Sequence, residues 1–333
     1  MYFFDRAGSY GGDLDTKFAK PWNGLLGHSG DETSVAEGTG LAHWLVPLSS
    51  SGAEHISAFA AHPRFPAAAR RLAHNLLTFA DQNRAFDGIA KDAGRFALSF
   101  AAIYLDSTGG ITIPRLKELC ELFGVASPGR ARAILFYLLF LGFAAPDGKE
   151  GRVSRYAATD RLREVWKLYL QARLDAASLV EPLALNIAAN LNDPSYFAAF
   201  VRVQGSGISY LASELDRRSA LQMSFQSAIL DRNAGMQLLH YLALQLQGDD
   251  DYPPAGAIAL SVRDAARRLR VSRQHLLRLL RHAEAAGLLV RGKNGAVQFM
   301  PSLREETRRQ VAIALTLELF VAARLEAEQN SRS

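Results

Sequence analysis

Apolar residues recur at helical spacing through most of the chain beyond residue 65. Leu72, Ala73, Leu76, Leu77 and Ala80 stand three or four positions apart, or next to each other, as in an amphipathic helix. Residues 1–55 lack such a period and are rich in Gly, Ser and Asp, which predicts loop. The predicted helices cover residues 66–80, 89–105, 114–123, 128–141, 160–177, 261–269 and 273–286, with further helix over 178–247 that breaks near 192–194 and 205–207.

The order of these elements repeats within the chain, over residues 112–159 (the first repeat) and 261–303 (the second repeat). Ser127 and Ser272 are each placed to cap a helix, and counting on from them brings Gly142 opposite Gly287. The apolar positions stay in step: Ile134 with Leu279, Leu138 with Ala283, and Phe143 with Leu288. A hairpin pattern follows in each repeat. We therefore predict a mainly α fold with two winged helix-turn-helix domains, each a three-helix core plus a β-hairpin wing, joined by long helices.

The same pattern predicts five regions along the chain. They are an N-terminal irregular and helical extension over 1–85, a first winged-helix domain over 86–177, a helical connector over 178–235, a second winged-helix domain over 236–303 and a C-terminal helix over 304–333. Within the second winged-helix domain, residues 248–254 (Gly-Asp-Asp-Asp-Tyr-Pro-Pro) are expected to form a solvated linker or loop before the second repeat.

The second helix of the second repeat carries a polar and basic outer face. Gln274, Arg278 and Arg281 lie on the side of the helix over 273–286 that faces away from its leucines. Arg can grip guanine with two hydrogen bonds and Gln can grip adenine, both in the major groove of DNA. The sequence therefore predicts that this helix reads bases.

The hairpin of the second repeat is expected to form a basic wing. Asn294 and Gly295 predict its tight turn, because both residues tolerate positive φ, and Arg291 and Lys293 lie next to that turn, where they suit contact with phosphate or the minor groove. The second repeat contains nine Arg or Lys and two acidic residues, a net charge of +7 against +5 for the whole chain. A basic module on a near-neutral body is the electrostatic pattern of a DNA-binding protein.

The first repeat differs in its second helix. Residues 133–141 are apolar on every face, so we expect this helix to be buried all round. Only Arg130 and Arg132, in its first turn, remain for DNA, together with three basic residues of the hairpin. The hairpin residues are Lys149, Arg152 and Arg155. The first repeat is thus predicted either as a second DNA reader or as a winged helix used for packing or dimerisation.

Both repeats resemble the winged helix-turn-helix domains of bacterial transcription regulators of the MarR type. The resemblance covers about residues 96–165 and 236–311 and includes the passage Tyr-Ala-Ala-Thr-Asp-Arg-Leu-Arg at 156–163. It implies recognition-helix contacts with DNA, wing contacts, a homodimer and, as in some members, a small aromatic effector. The predicted contact residues of the second repeat are Ser272, Arg273, Gln274, His275, Arg278, Arg281, Arg291, Lys293 and Asn294. Members of this type carry one such domain, so two in one chain imply a pseudo-dimer.

Composition limits the other classes. The chain has 333 residues, 49% of them hydrophobic, and a single cysteine, Cys120, which excludes an internal disulfide and fits the cytoplasm. We expect no signal peptide, because the N-terminus lacks a basic and then apolar segment, and no membrane partner, because the longest apolar run is far too short. Residues 27–31 (Gly-His-Ser-Gly-Asp) miss the last Gly of a nucleophile elbow, and the eight histidines show no metal-ligand spacing. We expect no enzyme activity, no metal and no cofactor.

The sequence therefore predicts a cytoplasmic transcription regulator that binds double-stranded DNA in a sequence-specific way. Two alternatives stay open. Tandem winged helices also occur in plasmid replication initiators, which bind repeated sites at an origin. Winged helices also serve as protein-interaction scaffolds that pack against a partner instead of reading bases.

Overall fold

The computed structural model describes residues 50–123, 128–213, 220–245, 251–292 and 295–331. Residues 1–49 of the predicted N-terminal loop, the predicted turn at 124–127 and the hairpin residues Lys293 and Asn294 lie outside this described part. The loop prediction is wrong for residues 50–55, which belong to the first described helix. Within it the chain is mainly α-helical with two small antiparallel sheets, so the mainly α prediction is confirmed.

Helices dominate the order of elements. The helices are α1 (Ser50–Ala61), α2 (Phe65–Gln82), α3 (Arg84–Ala90), α4 (Ala93–Ser107), α5 (Ile113–Phe123), α6 (Pro128–Phe140), α7 (Asp160–Ala177), α8 (Ala184–Asn190), α9 (Pro194–Ser213), α10 (Ala220–Phe225), α11 (Gly235–Ala243), α12 (Val262–Arg268), α13 (Arg273–Ala285) and α14 (Pro301–Asn330). A single π-helical turn, Gln226–Leu230, continues α10. The strands are β1 (Ala144–Glu150), β2 (Val153–Ala158), β3 (Ile258–Ala259), β4 (Leu289–Arg291) and β5 (Ala296–Phe299).

Trp166 on α7 lies in the larger of two hydrophobic cores. The centroid of its ring system lies 5.3 Å from that of Phe96, 5.4 Å from that of Phe100 and 6.0 Å from that of Phe86, so α3, α4 and α7 meet around it. Leu319, in the second half of α14, is fully buried in the same core. The C-terminal helix therefore closes the core that holds the first repeat.

The smaller core lies under the second repeat. Leu280 of α13, Phe299 of β5 and Leu303 of α14 pack there with Phe225 of α10. Leu77 of α2 joins this core, although most buried residues of α2 belong to the larger one. Helix α2 thus contributes to both cores and connects the second repeat to the rest of the molecule.

The prediction of one helix over 89–105 is wrong. The chain forms α3 and α4 with a break between them, and Asp92 begins α4 by accepting the N–H of Arg95 at 2.9 Å. An aspartate in this capping position favours a helix start over a continuous helix, which explains the break.

The predicted break at 205–207 is also wrong, because α9 runs through Gly205 without interruption. A β-carbon at this position would lie 2.1 Å from Cδ2 of Tyr104 on α4. The glycine serves close packing between two helices and not a turn, a distinction that a glycine signal in the sequence does not make.

The first hairpin turns at the end of the stretch that its sequence indicates. Residues 146–151 (Pro-Asp-Gly-Lys-Glu-Gly) have the composition of a turn, but β1 continues through Glu150 and the chain reverses at Gly151 and Arg152, where Gly151 has φ +62°. The register of the hairpin shifts between Pro146 and Lys149. Proline has no N–H for the strand ladder, so an irregularity at this point accommodates it within the strand.

Asp251 and Tyr252, in the loop before the second repeat, are fixed to the body of the protein. Asp251 forms ion pairs with Arg304 and Arg308 on α14, and Tyr252 is 1% exposed. The expectation of a solvated linker is therefore wrong for these residues, while residues 246–250 lie outside the described part. None of the helices that the structure describes combines the length and apolar content needed to cross a membrane.

Candidate nucleic-acid interface

Two serine caps set the geometry of the helix pair in the second repeat. The hydroxyl of Ser261 accepts the N–H of Asp264 at 3.2 Å at the start of α12, and the hydroxyl of Ser272 accepts the N–H of His275 at 3.1 Å at the start of α13. Between the helices Arg270 has φ +52°, which turns the chain sharply. The cap at Ser272 was predicted from the sequence. The Ser272 hydroxyl is thus occupied in holding the helix.

One side of α13 is buried and the opposite side is open. Leu276, Leu279, Leu280 and Ala283 are at most 2% exposed in the smaller core. The outward residues are exposed and basic or polar, and no described carboxylate lies within ion-pair distance of them. They are Arg273, Gln274, Arg278 and Arg281. Four of the predicted contact residues therefore form one exposed face.

The hairpin β4–β5 lies beside this face and is tied to α13. Arg291 donates to Glu284 through Nε at 2.8 Å and through Nη2 at 2.5 Å. These hydrogen bonds are the main cause that lowers the pKa of the Glu284 carboxyl. The charge of Arg291 is compensated within the chain, so this predicted contact residue positions the wing. Short strand β3 adds to the same sheet in the order β3-β5-β4.

His275 points to the body of the protein and not to the open face. Its Nε2 lies 2.8 Å from the carbonyl oxygen of Asn233, in the loop that follows the π-helical turn. Arg232 in that loop is exposed. Burial, together with the positive charges of Arg232, Arg278 and Arg281, lowers the pKa of His282. The electropositive surface thus extends to Arg232, which the sequence pattern missed because it lies far along the chain from α13.

Two other arginines of the second repeat connect it to the body. Arg270 forms ion pairs with Asp81 at 2.9 Å and with Asp87 at 3.1 Å, and Arg268 also pairs with Asp81. The aspartates belong to α2 and α3. The net charge of +7 counted for the second repeat therefore overstates the charge that remains for a partner.

The two repeats end their second helices in the same way. Gly142 has φ +69° and Gly287 has φ +68°. The N–H of Phe143 reaches the carbonyl five residues back at 2.8 Å, and that of Leu288 does so at 2.9 Å. This is the hydrogen-bond pattern of a helix that ends in a left-handed glycine. The correspondence predicted from spacing holds at the level of backbone geometry.

The first repeat also resembles the second in its sheet. Just before the first repeat, Ile111 forms an antiparallel bridge with Tyr156, as β3, just before the second repeat, pairs with β5. Thr112 stands where a cap is needed, and its hydroxyl oxygen lies 3.4 Å from the N of Arg115. Each repeat therefore has a short extended piece, two helices and a hairpin in the same order.

Five basic residues of the first repeat were predicted to contact DNA, and two of them are engaged within the chain. Arg130 pairs with Asp92 at 2.8 Å, and Arg155 pairs with Asp147 at 2.9 Å. The other three are exposed, with no ion pair to a described carboxylate. They are Arg132, Lys149 and Arg152.

The expectation that residues 133–141 are buried all round is wrong. Phe136 is 54% exposed and Phe140 is 84% exposed, while Ile134, Leu135 and Leu138 are buried. Only one side of α6 packs on the core, and an apolar composition on every face does not reveal which side the neighbouring helices cover.

The exposed side of α6 occupies the same positions as the exposed side of α13. Counted from Ser127 and Ser272, the α13 positions 274, 278 and 281 correspond to Gly129, Ala133 and Phe136. The α6 residues are all exposed. The surface that offers Gln and Arg in the second repeat offers Gly, Ala and Phe in the first.

Comparison of the chain with family models, with curated proteins and with solved structures finds no match. The resemblance to MarR-type regulators therefore depends on the sequence pattern alone and stays a prediction. Among the described residues, no group of three or more His, Cys, Asp or Glu side chains is arranged to hold a metal ion.

Proposed function

We propose that this protein binds double-stranded DNA in a sequence-specific way and acts as a transcription regulator, with the second repeat as its winged helix-turn-helix reader. The observation that carries the proposal is the exposed face of α13, where Gln274 lies beside Arg278 and Arg281, two arginines that form no ion pair with a described carboxylate. The opposite side of the same helix is fixed in a core. A rigid helix with Arg and Gln on its open side suits the major groove.

Three other arginines of the second repeat differ from those of the open face, because they are used within the chain. Arg268, Arg270 and Arg291 are paired with Asp or Glu of the same chain, so their role is to hold the helix pair and the wing in place. Arg273 lies in the first turn of α13 and is exposed. We assign Arg273 to phosphate contact and Arg278 to base contact, since the first positions the helix and the second discriminates between sequences.

We also propose one reading helix per chain, and not the pair that a pseudo-dimer requires. The face of α6 that corresponds to the reading face has Gly129, Ala133 and Phe136, which offer no hydrogen bonds to base edges. In the first repeat Lys149 and Arg152 remain for phosphate. A small aromatic effector stays a prediction of the family resemblance.

Selection of bound fragments from random duplex DNA, followed by affinity measurements on the selected sequence, tests this proposal. We expect Arg278→Ala to cost about 1–3 kcal/mol on the selected sequence and to relax base preference at one or two positions. Arg71→Ala, which alters a half-exposed arginine paired with Asp175 on another surface, is the control and should bind as the wild type does. Failure to enrich any sequence, or an Arg278→Ala protein with unchanged preference, contradicts the proposal.

A further inference from the structure

The exposed side of α6 carries four residues in one stripe. Gly129, Ala133, Phe136 and Phe140 are spaced by four, three and four positions, so they lie in line on a helix. All four are exposed, and a β-carbon added at Gly129 would meet no atom within 4 Å. Two adjacent phenylalanine rings on this helix are an apolar surface that no other part of the chain described by the structure covers.

The side chains of the stripe increase in size from its N-terminal to its C-terminal end. Its first half, Gly129 and Ala133, is nearly flat, whereas its second half, Phe136 and Phe140, projects two large rings. Two such stripes in antiparallel orientation place large residues against small ones. One register places both phenylalanines of each copy against small residues of the other. In this register Gly129 faces Phe140 of the second copy, and Ala133 faces Phe136 of the second copy.

We propose that α6 is the dimer interface of this protein, and that its occupant is α6 of a second copy packed antiparallel about a two-fold axis. Such a contact is self-complementary, as a two-fold interface requires. The antiparallel arrangement also brings the positive N-terminal end of each helix dipole beside the negative C-terminal end of the other.

The buried area indicates the strength of the contact. With aromatic side chains burying roughly 200 Å² each, the exposed fractions of Phe136 and Phe140 in two copies supply about half of the roughly 1,000 Å² that a specific interface needs. Flanking residues that are exposed or half-buried, including the stem of Arg132, Tyr137 and Leu139, lie beside the stripe and can add to it. An interface of this size is typical of a reversible dimer and not of an obligate one.

The dimer is tested by sedimentation equilibrium without DNA, over a concentration series that reaches several hundred micromolar. The wild type should pass from monomer to dimer, and Phe140→Ser should weaken self-association at least about tenfold, because large aromatic side chains dominate such contacts. Leu185→Ser on α8 is the matched control, since Leu185 is 54% exposed on a different helix and should leave the dimer intact. A wild type that stays monomeric, or a Phe140→Ser protein that dimerises as the wild type does, overturns the proposal.

A second variant tests the stripe without removing an aromatic ring. Ala133→Arg places at this exposed position the residue found at the corresponding position 278, and it should abolish the dimer by steric and charge repulsion. Unchanged circular dichroism and thermal midpoints for both variants show that the fold is retained. A dimer that survives Ala133→Arg contradicts the assignment.

Disulfide trapping tests the register. Cys120 is buried and its thiol has a pKa raised to about 11, mainly by burial, so it does not compete in oxidation. Chains with Ala133→Cys mixed with chains with Phe136→Cys should cross-link faster than either alone. Equal or slower cross-linking of the mixture rejects the antiparallel register. Because these measurements contain no DNA, their outcome is independent of the proposed DNA binding.

Discussion

Asp87 is the residue on which the connection between the second repeat and the body depends most. Its buried carboxylate accepts hydrogen bonds from Nζ of Lys91 at 2.6 Å, Nη1 of Arg270 at 3.1 Å and Nε2 of Gln237 at 2.9 Å. These partners come from three different parts of the chain. The carboxylate therefore joins α3, which packs in the larger core, to the turn before α13.

Replacing this carboxylate should be costly. We expect Asp87→Ala to lower the free energy of unfolding by about 3 kcal/mol, because it leaves the buried ammonium group of Lys91 without its counter-charge. Glu164→Ala, which removes an exposed partner of Lys167, is the control and should cost less than about 1 kcal/mol. Denaturant unfolding measures both values, and equal losses would argue against this role of Asp87.

His240 gives the fold a defined sensitivity to acid. Burial lowers the pKa of this histidine on α11 from 6.5 to about 4. The imidazole of His240 is therefore protonated below about pH 6.5 in the unfolded chain but stays neutral down to about pH 4 in the folded protein, so acid favours unfolding. The stability is complete above pH 6.5 and declines as the pH falls toward about 4, by at most about 3 kcal/mol. Thermal midpoints between pH 7.5 and 4.5 should fall less for His240→Gln than for the wild type, and parallel curves would contradict this.

At the scale of elements, α4 and α9 approach each other at one glycine. We expect Gly205→Ala to destabilise the fold by about 1–3 kcal/mol, because the added β-carbon collides with the ring of Tyr104. Gly129→Ala is the comparison at protein concentrations where the chain is monomeric, since within one chain its β-carbon meets open space and alanine favours the helix. Thermal unfolding of the two variants should shift in opposite directions. A neutral Gly205→Ala would show that the two helices separate easily.

Local signals predicted the helix pair of the second repeat closely. Ser261 and Ser272 begin α12 and α13, and Gly287 follows the end of α13, because capping and left-handed turns depend on a few neighbouring residues. The break at Asp92 and the continuity at Gly205 were missed. Asp92 acts through a local helix cap that the sequence analysis overlooked. A glycine, in contrast, can end a helix or allow close packing, and at Gly205 the neighbouring helix α4 decides.

At the scale of the whole molecule, the sequence predicted which residues share a face but not which face is covered. It grouped Gln274, Arg278 and Arg281 correctly, since helical spacing is local. It could not predict that Phe136 is exposed or that Arg270 pairs with Asp81 and Asp87, since these depend on contacts between residues far apart in the chain. The candidate nucleic-acid interface therefore contains fewer basic residues than the charge count of the second repeat suggests.

At the scale of the whole chain, the second repeat, which we propose reads DNA, is held on a larger helical body. The second repeat is fixed by the ion pairs of Arg268 and Arg270 on one side and by α14, which continues from its core into the larger one, on the other. With one reading helix per chain, pairing of two chains through α6 would supply two readers. DNA half-sites would then reflect the symmetry of the dimer.

The salt dependence of DNA affinity is the most direct test of the central claim. Each arginine that neutralises a phosphate steepens the slope of log K against log salt by about 0.9. We expect a steep negative slope for the wild type, a slope shallower by about 1 for Arg273→Ala, and the wild-type slope for Arg71→Ala. Absence of DNA binding at low salt, or a slope that Arg273→Ala leaves unchanged, would contradict the assignment of α13 as the DNA-reading helix.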